Sequence, residues 1–148
     1  FRCKSTDECG CRKLGYLEGD RYVVVMFYGA SGLTSVDVGS WDTSNVTDMT
    51  RMFSDARGLT SVDVGSWDTS KVTSMTYMFA NATSLDTLKL GAKFRFKGST
   101  GLMEKNATPY TGKWKNTQDE AALYGSTAEF VTGYDGLKPG TYIREKLK

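Results

Sequence analysis

The sequence predicts an α/β fold: a right-handed solenoid in which each 26-residue repeat supplies a short strand and a short helix, closed by N- and C-terminal caps. Three observations carry this expectation. Residues 33–58 and 59–84 follow one another without a gap and match at 19 of 26 positions, the first twelve without exception. Each copy opens with a period-2 apolar alternation, Val36 and Val38, then Val62 and Val64. Its second half spaces apolar residues three or four apart, at Val46, Met49, Met52 and Phe53. A unit this short cannot bury its own apolar face, and it becomes stable only when neighbours stack on it.

The expected organisation runs in three parts: an N-terminal cap with a cysteine-containing segment over 1–32, the repeat array over 33–90 (33–58, 59–84 and a partial unit 85–90), and a C-terminal cap over 91–148. The partial units are weak extensions of the period. Val23, Met26 and Phe27 precede Met49, Met52 and Phe53 by one repeat, and Leu85, Leu88 and Leu90 follow Leu59, Val62 and Val64 by one. Within a unit, Val36 and Val38 share one strand face while Ser35 and Asp37 share the other. Gly39-Ser40 ends the strand, and Asp42, Thr43 and Ser44 offer side-chain oxygens for a helix start. From Val46 the apolar residues fall on one helical face, with methionine filling gaps between stacked units. One strand and one helix per turn, crossing right-handed, gives a parallel sheet and a leucine-rich-repeat-like architecture. In the C-terminal cap, Gln118 to Tyr124 reads as a helical turn, and Asp135-Gly136 marks a turn before a strand over Gly140 to Ile143.

Composition narrows the function. A chain of 148 residues with 39% hydrophobic and 24% charged content suits one domain. Nineteen basic against seventeen acidic residues leave a formal charge of +2, too little for nucleic-acid or polybasic membrane binding. The absence of histidine removes histidine triads, histidine bases and imidazole metal sites. The longest apolar run, Tyr22 to Tyr28, falls far short of the roughly 20 residues of a membrane-spanning helix. A chain starting at Phe1 without an initiator Met reads as a piece of something longer. Cys3, Cys9 and Cys11 permit at most one internal disulfide, Cys3 with Cys9 or Cys11 in an oxidising compartment. As three thiols without histidine they make a poor zinc site.

Candidate binding residues follow from the stacking. Units one strand apart, about 4.8 Å, align Ser35, Ser61 and Thr87 in one outward row and Asp37, Asp63 and Lys89 in another. Neighbouring carboxylates repel, a tension that a cation, a basic partner or Lys89 would relieve. Retaining glycosidases also hold two carboxyls about 5 to 5.5 Å apart, but copies of one repeat on an open surface offer near-equal environments, so no catalytic residue and no enzymatic activity are expected. Trp41 and Trp67 form a further row that covers the core edge or, if exposed, anchors a partner. Asp42, Ser44, Asp48, Asp68 and Ser70 gather oxygens, but capping explains them better than calcium does. No metal and no cofactor is expected. The sequons at Asn45, Asn81 and Asn106 matter only in a eukaryotic secretory pathway.

The segment Trp41 to Phe53, WDTSNVTDMTRMF, and its copy Trp67 to Phe79, WDTSKVTSMTYMF, resemble the BspA-like leucine-rich-repeat family of bacterial surface proteins. The resemblance spans about residues 23–96. The tail, with Ala107 to Trp114, Tyr134-Asp-Gly and Pro139-Gly-Thr-Tyr142, is similar to segments that follow such arrays. The resemblance implies secretion, a cell-surface or cell-wall location in Gram-positive bacteria, and adhesion to host or bacterial surface proteins, mucin or glycans, with self-association as a further route. It implies no catalytic residues. The expected function is therefore a non-enzymatic adhesion or binding module without nucleic acid or membrane insertion. The alternative is a structural spacer in a wall-anchored protein that binds nothing itself.

Overall fold

A computed structural model describes residues 26–148. Cys3, Cys9, Cys11 and Val23 lie outside the described residues. The elements are β1 (Ser35–Asp37), β2 (Ser61–Val64), β3 (Thr87–Leu90), β4 (Tyr110–Asn116), β5 (Leu123–Tyr124), α1 (Thr127–Gly133) and β6 (Gly140–Lys146). They form one open, mixed sheet in the order β1-β2-β3-β6-β4-β5. The first three strands are parallel and the last three pairings antiparallel.

This corrects the expected fold class. The leucine-rich-repeat-like, right-handed α/β solenoid required a helix in every repeat, and none forms there. Among the described residues the one helix is α1, in the C-terminal part. The segments read as helical, from Val46 and from Val72, are chains of tight turns. Their backbone shows why. The amides of Met49, Arg51, Phe53 and Asp55 donate to the carbonyls of Ser74, Thr76, Met78 and Ala80 in the next unit, at 2.8–3.0 Å. The intervening amides of Met52, Ser54 and Ala56 donate three residues back, to Met49, Arg51 and Phe53. Half of the donors a helix needs are thus committed to the neighbouring unit. Left-handed backbone at Arg51, Asp55, Tyr77 and Asn81 breaks any right-handed helix as well. Apolar spacing of three and four is common to a helix and to successive tight turns, so the same pattern buries Met49, Met52 and Phe53 without a helix.

Met49, Met52, Phe53 and Ala56 are fully buried, as are Met75 and Met78. They pack against Leu59, Val62 and Val64 from the strand side in one core. Stacking at one-repeat intervals puts like on like: Phe27, Phe53 and Phe79 lie nearly parallel with ring centroids 5.3 and 5.6 Å apart. The strand register is the repeat register, Ser35 to Ser61 to Thr87 and Val36 to Val62 to Leu88.

The C-terminal part completes this sheet. Strand β6 pairs with β3, and its inward Tyr142 and Arg144 are buried. The strand expected over Gly140 to Ile143 forms as β6. The helical turn expected over Gln118 to Tyr124 does not: that stretch turns into β5, and α1 starts three residues later. There the Ser126 hydroxyl caps the helix by accepting the Glu129 amide at 3.1 Å. Helix α1 places Phe130 against Trp114, Phe96 and Tyr142. No helix among the described residues is long and apolar enough to cross a membrane.

The joint between array and cap is electrostatic as well as apolar. Asp86, just before β3, accepts hydrogen bonds from Lys105 Nζ at 2.5 Å and the Tyr110 hydroxyl at 2.7 Å, and lies 3.4 Å from Lys146 Nζ. Beside it, the buried Arg144 guanidinium donates to the carbonyls of Leu85 and Met103 and to the Thr127 hydroxyl, and stacks over Trp114 at 4.3 Å. Burial alone would raise the Asp86 carboxyl above its ordinary value, but the Lys105 and Tyr110 hydrogen bonds and the lysine charges outweigh it and hold the group lower.

Two predictions follow from these contacts. A methyl group on Gly91 would meet the Gly65 carbonyl oxygen at 1.8 Å, whereas on the equivalent Gly39 it would meet only the Asp37 side chain at 3.3 Å. Gly91→Ala is therefore expected to cost about 2–3 kcal/mol in urea denaturation, and Gly39→Ala less than about 0.5 kcal/mol. Because the folded Asp86 carboxyl titrates below its unfolded value, its contribution is present above about pH 4 and is lost as pH falls through the folded pKa. Asp86→Asn should cost about 2 kcal/mol at pH 7 and flatten the acid limb of the stability profile. An unchanged acid limb in the variant would show that another carboxylate governs it.

Candidate functional site

The strand alternation that buries Val62 and Val64 turns Ser61 and Asp63 outward. Parallel pairing repeats this on three strands, so Ser35, Ser61 and Thr87 lie side by side, as do Asp37, Asp63 and Lys89. These six residues come together on one face, as their spacing predicts. The face continues onto the cap strands. Ile143 stands opposite Thr87, Thr141 opposite Lys89, Lys115 opposite Ile143, and Leu123 opposite Lys115. The result is a broad open surface, acidic at the β1–β2 end and basic toward β3 and β4.

The two carboxylates are not equivalent. Each holds the turn after its strand, Asp37 accepting the Gly39 amide at 3.0 Å and Asp63 the Gly65 amide at 2.9 Å. Asp63 also pairs with Lys89 Nζ at 2.9 Å, with both side chains about half exposed. Among the described residues no cation pairs with Asp37, which sits exposed on the edge strand. Among the described residues the row thus ends in a carboxylate whose second oxygen has no partner.

The tryptophans separate. Trp67 is fully buried, and its indole N–H donates to the Val38 carbonyl at 2.9 Å; it is a core residue and no anchor for a partner. Trp41 has no preceding unit on it among the described residues and is partly exposed, stacked between Phe27 at 6.0 Å and Trp67 at 6.3 Å. The oxygen-rich positions resolve into turn caps, although the turns are not the helix starts anticipated. Asp42 accepts from the Ser44 amide and hydroxyl, Asp68 from the Ser70 amide, and Asp48 from the Thr50 amide. The Ser44 and Ser70 hydrogen bonds hold the Asp42 and Asp68 carboxyls below the ordinary carboxylate range. Among the described residues no three acidic or cysteine side chains converge as a metal set.

Sequence reasoning passed over Arg51 and Tyr77, which occupy one repeat position on the turn side. Both are exposed, and the Arg51 guanidinium lies 5.7 Å from the Tyr77 ring centre. The signal available for them was their difference: within otherwise matching motifs, one position holds arginine in one copy and tyrosine in the next.

No curated protein and no solved structure matches the chain. A family model described as "Mycoplasma protein of unknown function, DUF285" matches residues 22–108, a span that takes in β1 to β3 and the turn segments between them. Because that match covers more than half of the 148 residues, the chain belongs to the DUF285 family.

Proposed function

We propose that the chain is a non-enzymatic binding module that works at a cell surface, using the outer face of its sheet to hold protein or glycan partners. The observation that carries this reading is the in-register repetition of outward, exposed or half-buried polar side chains on three adjacent strands, Ser35–Ser61–Thr87 and Asp37–Asp63–Lys89. A row of this kind matches an extended or repetitive partner better than a compact small molecule. No concave site is needed, because contact is surface to surface. The free Asp37 carboxylate and the Lys89, Lys115 end offer opposite charges to a complementary partner, which favours oriented docking.

A bacterial surface role of the BspA-like kind is supported by the WDTSNVTDMTRMF motif and its copy, and secretion to the cell surface or wall is part of the same reading. Those motif residues now have physical assignments. Met49, Met52 and Phe53 fill the core and Asp42 caps a turn, so the motif maintains the scaffold on which the strand residues outside it are displayed.

The test is binding of the immobilised chain to mucin, fibronectin, fibrinogen, collagen and a glycan panel, beside an Asp37→Ala, Asp63→Ala variant. Saturable binding weakened about tenfold in the variant is expected, with a loss of stability of no more than about 1–2 kcal/mol from the two turn hydrogen bonds. Absence of binding to every partner would favour the spacer reading instead.

A further inference from the structure

A second surface lies across the core from the sheet face. Strand and turn-segment side chains pack into the same core, so the exposed residues of the turn segments point away from those of the strands. Two positions in the turn segments of both full units adopt left-handed backbone, and one of them recurs at Gly29. At the first, Gly29, Asp55 and Asn81 have φ of 71, 60 and 58°. Glycine, aspartate and asparagine are the residues that accept this conformation. At the second, Arg51 and Tyr77 have φ of 58 and 57°, and both are large side chains that disfavour it. The backbone cannot relax there, because the Arg51 and Tyr77 amides donate to the Thr76 and Ser99 carbonyls of the following chain segment. Asparagine or glycine would fit better. Neither large side chain repays its conformation by burial: Tyr77 is 49% exposed and Arg51 is exposed.

Strained backbone that local packing does not reward marks a position held for another purpose. What stands there has a definite chemistry. Arg51 carries a guanidinium with no ion pair among the described residues, set 5.7 Å from an exposed phenol ring. The preceding residues carry hydroxyls, joined through Ser74 by Thr50 Oγ1 to Ser74 Oγ at 2.9 Å and Ser74 Oγ to Thr76 Oγ1 at 3.0 Å. Toward the corner of the unit, Lys71 Nζ donates to the Asn45 side-chain carbonyl at 2.6 Å rather than to a carboxylate. An aromatic ring accepts the C–H face of a sugar, a guanidinium accepts a carboxylate or sulfate bidentately, and hydroxyls exchange hydrogen bonds with sugar hydroxyls. We infer that the Arg51–Tyr77 pair is the centre of a binding surface for acidic glycans, separate from the sheet face and independent of it.

The test measures binding of the intact chain to heparin, hyaluronan, a sialylated oligosaccharide and neutral dextran. The heparin arm reports sulfate recognition, and the other two acidic arms report carboxylate recognition. Arg51→Asn, Tyr77→Asn together should weaken acidic-glycan binding about tenfold or more, while the melting temperature stays level or rises as the strain is relieved. Tyr77→Phe should retain binding, because it keeps the ring. The inference is overturned by dextran binding equal to that of the acidic glycans, by no binding of any acidic glycan, or by a double variant that binds as before. A fall in melting temperature would equally overturn it, showing that the pair stabilises the fold.

Discussion

Everything in the array depends on one constraint: each unit satisfies its backbone by hydrogen bonding to the chain one repeat away. The strands do this through the ladder, and the turn segments do it through alternate amides such as Met49 to Ser74 and Phe53 to Met78. Once that offset is imposed, identical side chains must lie on top of one another. The phenylalanine stack, the methionine layers, and the Ser35–Ser61–Thr87 row are all consequences of it. The same constraint holds Arg51 and Tyr77 in a conformation their side chains do not favour, because leaving it would orphan an amide inside the stack.

A stack of this kind must be stopped. Strand β6 closes the C-terminal side by pairing antiparallel with β3, and β4, β5 and α1 extend the same core with aromatic side chains. The junction is held by a buried arginine whose donors reach both sides and by a carboxylate that gathers two lysines and a tyrosine. Asp86 stands where Thr60 stands in the preceding unit, and Thr60 merely donates to the Thr34 carbonyl. The change from hydroxyl to carboxylate marks the place where repetition gives way to a cap.

The period, the strand positions, the outward rows and nearly all of the array core were legible in the sequence, because they follow from spacing alone. The helix was misread for a physical reason: Met49, Met52, Phe53 and Ala56 are buried at intervals that turns and helices share, and only the destination of the amides tells them apart. Antiparallel closure by β6 was not legible, since pairing of Thr87 with Ile143 joins residues far apart in sequence that have no pattern in common. Nor could two identical tryptophan contexts reveal that Trp67 would be sealed by a neighbouring unit while Trp41 stayed partly open. On the binding side, the sheet-face rows could be drawn from the register, but the Arg51–Tyr77 pair became visible only through its backbone angles.

The seam between units has a consequence for how this protein can change over generations. The units 33–58 and 59–84 match at 19 of 26 positions, so a further copy between them and the cap would meet a neighbour much like the one it already has. A gene with two almost identical stretches in tandem is prone to unequal recombination, which adds or removes a whole unit. Such an event leaves the cap junction untouched and creates no unfamiliar contact, so the product is a taller or shorter version of the same fold, altered by about 4.8 Å per unit. Height and the number of displayed rows would change together, by one strand per added or removed unit.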